Sequence, residues 1–160
     1  KGGFNAAEAW TWHAALLAEK EDQYDSRVSS RIHRGESMTA KDFIELQNAR
    51  HVWQQQVEAA IADYDALLMP TVPMIAPKIE DLAEDDAYFA ANGKILRNPT
   101  FINFLDGCAL SLPCQPAGQA PVGLMVAGGH LKDQTVASWA LSIEQALKPF
   151  LQANRSGNDK

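Results

Sequence analysis

The stretch Asn98-Pro-Thr-Phe-Ile-Asn-Phe-Leu-Asp-Gly-Cys-Ala-Leu-Ser-Leu-Pro-Cys114, a short Gly/Pro loop, and Pro121-Val-Gly-Leu-Met-Val-Ala-Gly-Gly129 together decide the fold of this 160-residue chain. Asn98 before Pro99 predicts a helix start, because Asn caps orphan N–H groups and Pro at the first helical position gives up a donor without a partner. Phe101, Phe104 and Leu105 then share a face, and Gly107 is expected to stop the helix with positive φ. Ala109 to Pro113 and Val122 to Val126 are short apolar runs bounded by Gly and Pro, the pattern of strands buried on both faces.

Upstream, Ala66 to Met69 forms a third such run, closed by Pro70. With Pro73 and Pro77 following, the chain has to leave the sheet, which puts Thr71 at a strand end, where functional groups gather. Residues 80–86 carry five carboxylates, which predicts a solvated loop; the glycine-centred spacing of a calcium loop is missing. Residues 87–97 are expected to be irregular or weakly helical. Thr39, with Asp42 three residues on, opens a long helix whose stripe Phe43, Leu46, Arg50, Trp53, Val57, Ala60 and Tyr64 faces a core. Asp25 or Ser26 starts a short helix ending at Gly35. Asn5 caps a first helix, to Glu19, with Ala6, Ala9, Trp10, His13 and Leu17 on its buried side. Past the decisive stretch, Asp133 begins a last helix with Val136, Trp139, Ala140, Ile143 and Leu147 inward, and Pro149 is expected to end it. The fold expected is α/β: about three strands in a partial mixed sheet flanked by about five helices. Residues 1–150 are read as one folded portion and 151–160 as a polar tail.

Composition narrows the function classes. A net charge of −6 disfavours nucleic acid or an anionic membrane as a partner, since both need a cationic face. No apolar run approaches bilayer length. Cys108 and Cys114 read as reduced core thiols, which points to a cytoplasmic protein. Phosphate loops, zinc spacings and dinucleotide fingerprints are missing, so no cofactor or metal is expected.

Four groups of residues, in order along the chain, carry a resemblance. They are Val28, Arg31, Ile32 and Gly35 with Arg50; Asp65, Leu67, Leu68, Pro70, Thr71 and Pro73; Arg97, Asn98, Thr100, Asn103, Phe104, Gly107, Ala109, Ser111, Pro113 and Cys114; and Pro121 to Met125. In these the chain resembles the C-terminal part of the amidase-signature enzymes, which include amidases and the related glutamyl-tRNA amidotransferase subunits. The resemblance implies hydrolysis of an amide by a Lys, a Ser held by a cis peptide and a nucleophilic Ser, all in the N-terminal half around a Gly-Gly-Ser-Ser-Gly-Gly loop. This chain has no such loop and no lysine in a matching context, so no catalytic residue is assigned to it. Its partners would be the missing N-terminal half of the same polypeptide and a small-molecule amide.

Within this chain, Thr71, Asn98, Thr100 and Asn103 are expected nearest the substrate. Asn98 and Thr100 are placed there by free N–H groups at a helix N-terminus. Arg31 is either a carboxylate partner, as its match to the family's pattern implies, or a structural ion pair. Ser29 and Ser30 lie inside a helical pattern and receive no catalytic role, and His13 reads as a packed or rim histidine. Cys114 with His130 would be the alternative nucleophilic pair, although no third group is evident to orient the histidine. A binding or assembly module is the competing function class. In isolation, open sheet edges predict association with another copy.

Overall fold

The computed structural model describes residues 3–116 and 118–153. Among these are five α-helices and three β-strands, and the chain divides into two compact units, Lys1–Val52 and Trp53–Lys160.

The first unit is helical. Helix α1 covers Gly3–Lys20, α2 covers Ser26–His33, and α3, Ala40–Ile61, begins here. α1 opens before Asn5, which sits inside the helix and is no cap. Its stripe of Ala6, Ala9, Trp10, His13 and Leu17 is inward as the periodicity predicts, with Ala6 and Leu17 buried. Asp25 caps α2 by accepting the Arg27 and Val28 N–H groups at 2.8 and 3.3 Å. Thr39 and Asp42 form the expected reciprocal cap of α3: Asp42 Oδ2 accepts the Thr39 N–H at 2.9 Å, and Thr39 Oγ1 accepts the Asp42 N–H at 3.2 Å. Gly35 follows α2 for a reason other than helix termination. A Cβ there would overlap the Ala6 carbonyl, so only glycine lets α1 approach. Phe4 meets Phe43 edge-on at 5.4 Å, with the Arg50 guanidinium 5.6 Å from the Phe4 ring centre.

The second unit holds the sheet. Strand β1 is Leu67–Pro70, β2 is Cys108–Pro113 and β3 is Gly123–Gly128, in the order β1-β3-β2. All three expected strands are present and adjacent, and both pairings are antiparallel, so no parallel neighbour makes the described sheet mixed. Helix α4, Asp85–Leu105, packs Ile102 on the face that carries Leu67, Met69, Met125 and Ala127. Helix α5, Asp133–Ala153, packs Val136, Ala140 and Ile143 on the opposite face, against Val126, Cys108 and Leu112. Trp53, on the last part of α3, lies 5.1 Å from Phe101 and 5.2 Å from Phe104. Central β3 is buried, but Leu68 and Leu110 on the flanking strands stay 56% and 44% exposed, so the flanking strands are not covered on both faces.

Three expectations on helix ends give way. Residues 85–105 form one helix, so Asn98 and Thr100 lie in its interior and Pro99 is internal too. The acidic run is not a plain loop. Residues 79–82 make a 3₁₀ turn, and Asp85 and Asp86 occupy the first turn of α4, where carboxylates suit the helix dipole. Residues 87–97 are rich in good helix formers, and their propensity outweighs Gly93 and Pro99. At the far end, Asp106, not Gly107, takes the left-handed conformation, with φ 62° and ψ 31°. Its N–H donates to the Asn103 carbonyl at 3.2 Å and that of Gly107 to the Ile102 carbonyl at 3.1 Å, the paired closure of a Schellman motif. Pro149, likewise, lies within α5 and does not end it. Of the expected α3 stripe, Ala60 is exposed and Tyr64 lies exposed beyond the helix end, while Ile61 takes the inward place. Of the expected polar tail at 151–160, residues 151–153 belong to the last turn of α5, and 154–160 lie outside the described residues.

Candidate functional site

Thr71 follows β1 and continues its pairing, donating its N–H to the Gly123 carbonyl at 2.8 Å. Its Oγ1 is 2.5 Å from Ser111 Oγ on β2. The two hydroxyls meet across β3 at Gly123, where a Cβ would stand 2.5 Å from each oxygen. Asn98, on α4, donates its Nδ2 to the Pro70 carbonyl at 2.7 Å and so fixes the residue just before Thr71. One end of the sheet thus gathers Thr71, Ser111, Asn98 and the bare backbone of Gly123, beside the apolar face of Met69 and Met125.

Of the expected substrate-facing residues, the structure brings Thr71 and Asn98 together. Thr100 and Asn103 are exposed on α4. At about 100° per residue they lie roughly 60° from each other and about 140–160° around the helix from Asn98. The helix-terminus argument for Asn98 and Thr100 fails, since interior N–H groups are used within the helix. Arg31 belongs to the first unit, where its Nε donates to the Arg27 carbonyl at 3.1 Å. Ser111 is the residue that sequence reasoning misses. Its place in the Ala-Leu-Ser-Leu-Pro run is visible, but only the register to β3 reveals that it meets Thr71.

At the other end of the sheet stands a charged corner. His130 Nδ1 is 3.0 Å from Asp106 Oδ2, both half-exposed. The Cys108 thiol donates to the Gly129 carbonyl at 3.6 Å. Burial, and then the Asp133 carboxylate, push its pKa up, which keeps it protonated and a poor nucleophile. A cavity of about 510 Å³ opens here, lined by Tyr64, Asp65, Leu67, Gly129, His130 and Lys132 among others.

The alternative pair is overturned. Cys114 follows Pro113, which pairs with Gly123, whereas His130 lies beyond Gly128, which pairs with Cys108. The six-residue strand between them is about 20 Å long. His130 does have an orienting carboxylate, Asp106, but no cysteine nucleophile at Cys114. Ser29 and Ser30 hydroxyls bond the Ser26 and Arg27 carbonyls of their own helix, at 3.3 and 3.2 Å. His13 Nδ1 pairs with the Tyr24 hydroxyl at 2.8 Å. Among the described residues no group of acidic, histidine or cysteine side chains could hold a metal ion, and no helix is long and apolar enough to cross a membrane.

Residues 5–137 match the Amidase family, and the chain belongs to it. It is 28% identical over 145 residues to a 2-amino-5-chloromuconic acid deaminase of Comamonas testosteroni, covering 90% of this chain and 31% of that protein. It is 35% identical over 99 residues to a glutamyl-tRNA(Gln) amidotransferase subunit of Clostridium botulinum, covering 62% of this chain and 20% of that protein. Among solved structures, a crystal structure of an amidase superposes with TM-score 0.68 at 26% identity, covering 85% of this chain and 31% of that one. Allophanate hydrolase of Kluyveromyces lactis gives TM-score 0.70 at 26% identity, with 84% and 22% covered. The chain thus spans only about a fifth to a third of the length of these relatives.

Proposed function

We propose that this chain is the C-terminal portion of an amidase that hydrolyses a carboxamide C–N bond, with its Ser/cis-Ser/Lys machinery supplied by sequence outside these 160 residues. The family match over residues 5–137 carries this reading. Amide hydrolysis requires an activated nucleophile and donors aimed at the developing oxyanion. Here Ser29, Ser30, Ser138, Ser142, Cys108 and Cys114 donate to backbone carbonyls, and Ser111 pairs with Thr71. No lysine of the sequence sits in a catalytic motif with any of them. The chain's part is then structural and recognitive. It supplies three strands, their covering helices and one wall of the substrate pocket, with Thr71 and Asn98 nearest the substrate. Free thiols at Cys108 and Cys114 suit a cytoplasmic enzyme.

The test is to extend the reading frame upstream, express the full-length polypeptide and assay a panel of small amides. Turnover above a heat-inactivated control supports the reading. If a full-length protein with a Gly/Ser-rich loop shows none, the chain is a binding or assembly module. Thr100→Ala and Asn103→Ala test whether the exposed side of α4 also reaches the substrate: a lower kcat/KM adds both residues to the wall. If they lower only the melting temperature, both residues are scaffold.

A further inference from the structure

We infer that Thr71 and Ser111 act as one hydrogen-bonding element that engages an acceptor oxygen of the carboxamide substrate from its exposed side, with Gly123 as the bare backbone that lets the two hydroxyls meet and Asn98 as the residue that positions the pair. The inference rests on the amidase reading above and assigns Ser111, Gly123 and a distinct role for Asn98 within that site.

A hydroxyl carries one donor and two lone pairs. Thr71 Oγ1 and Ser111 Oγ, 2.5 Å apart, share one proton, whichever of them donates. The second proton of the pair is not needed between them and points elsewhere. Apolar residues at these two positions would gain packing across the sheet. Here Thr71 is half-buried and Ser111 exposed, and their mutual bond uses one of the two O–H groups, so the other can be given to a ligand in place of water.

Gly123 faces both oxygens, and a Cβ on it would sit 2.5 Å from each and 3.1 Å from Thr71 Cβ. Gly123 is not among the residues with positive φ, so conformational freedom does not require glycine there. What requires it is clearance: any side chain would drive the hydroxyls apart and cover them.

The pair is also held rigidly. The Thr71 N–H is held by the Gly123 carbonyl at 2.8 Å, and the preceding Pro70 carbonyl is held by Asn98 Nδ2 at 2.7 Å. Thr71 is thereby fixed from both sides of one peptide, a pre-organised donor of the kind that binds at low entropic cost. Asn98 acts through Pro70 and is a positioning residue.

The experiment uses the full-length polypeptide with a series of primary carboxamides. Ser111→Ala and Thr71→Val, at unchanged melting temperature, should each lower kcat/KM roughly three- to tenfold, the size of one neutral hydrogen bond. Ser111→Thr, which restores the hydroxyl, should recover most of the loss. Gly123→Ala should lower kcat/KM at least as far as either. Asn98→Asp, which loses the donor at near-equal size, should raise KM more than it lowers kcat. Should Ser111→Ala and Thr71→Val both stay within twofold of the parent, the inference is overturned while the amidase reading stands. A parent without turnover on any amide overturns the amidase reading, and this inference with it. Gly123→Ala is the variant most exposed to misfolding, and Ser111→Ala, which only deletes an oxygen, decides the matter if it does.

Discussion

The two ends of the three-stranded sheet solve different problems with similar means. At the Thr71 end, two short neutral side chains meet each other over a glycine. At the His130 end, a carboxylate and an imidazole meet at 3.0 Å and use each other. Both ends need glycine for clearance: Gly123 under the hydroxyls, and Gly107, whose Cβ would stand 2.5 Å from the Gly128 carbonyl. Only the second end places non-glycine residues at positive φ, Asp106 and Leu131. Backbone strain therefore marks the corner that ties turns together, while the Thr71 end has no non-glycine residue at positive φ. A strained backbone is a cue to function in general; here it coincides with structural closure.

Four experiments test this contrast, in order of falling effect. The 160-residue chain alone should hydrolyse no amide above a heat-killed control, because neither end offers an activated nucleophile. Turnover abolished by Cys114→Ala would show that the Thr71 end hides one. Next, Gly107→Ala should cost up to about 3 kcal/mol in denaturant unfolding, since the added methyl meets a backbone carbonyl that cannot yield easily. A loss under about 0.5 kcal/mol would mean that the two turns are not tightly joined.

Smaller effects follow at the charged corner. Asp106→Ala should cost about 1–2 kcal/mol, combining the left-handed strain on Ala with loss of a half-exposed pair. Asp106→Gly should be about 1 kcal/mol more stable than Asp106→Ala, because glycine adopts φ 62° freely. Equal stability of the two variants would leave the ion pair as the whole effect. Last comes the thiol at this corner. Alkylation of Cys108 should rise with pH about a midpoint above the ordinary 9.0, because burial and the Asp133 carboxylate both disfavour its thiolate. Asp133→Asn should move that midpoint down, and no movement would leave burial as the sole cause.

The strands were legible in the sequence because apolar runs bounded by Gly and Pro have few other readings. Thr71 at a strand end was legible for the same reason. Asn98 was singled out on a wrong premise. Its Asn-Pro pair spells a helix start locally, yet the helix runs through, and Asn98 matters through a carbonyl 28 residues upstream. Ser111 and Asp106 were hidden because what they do depends on partners 40 and 24 residues away, Thr71 and His130. Local propensity cannot carry information of that range. The same holds for Gly35, where termination is the obvious reading and close approach to α1 is the actual constraint.

The strand order has a further consequence, in time and not in space. β3 is the last strand along the chain, yet it lies between the other two and supplies every strand pairing in the described sheet. β2 can close on it through a short loop, but Leu67 must find Ala127, sixty residues away, across the whole of α4. Loop closure of that length delays the pairing relative to the hairpin. On a translating ribosome β1 therefore emerges long before its partner exists, and its edge stays open until residue 128 has left the exit tunnel. α4, whose helical hydrogen bonds are local, lies wholly between the two partners, and its Ile102 gains its packing only when β3 arrives.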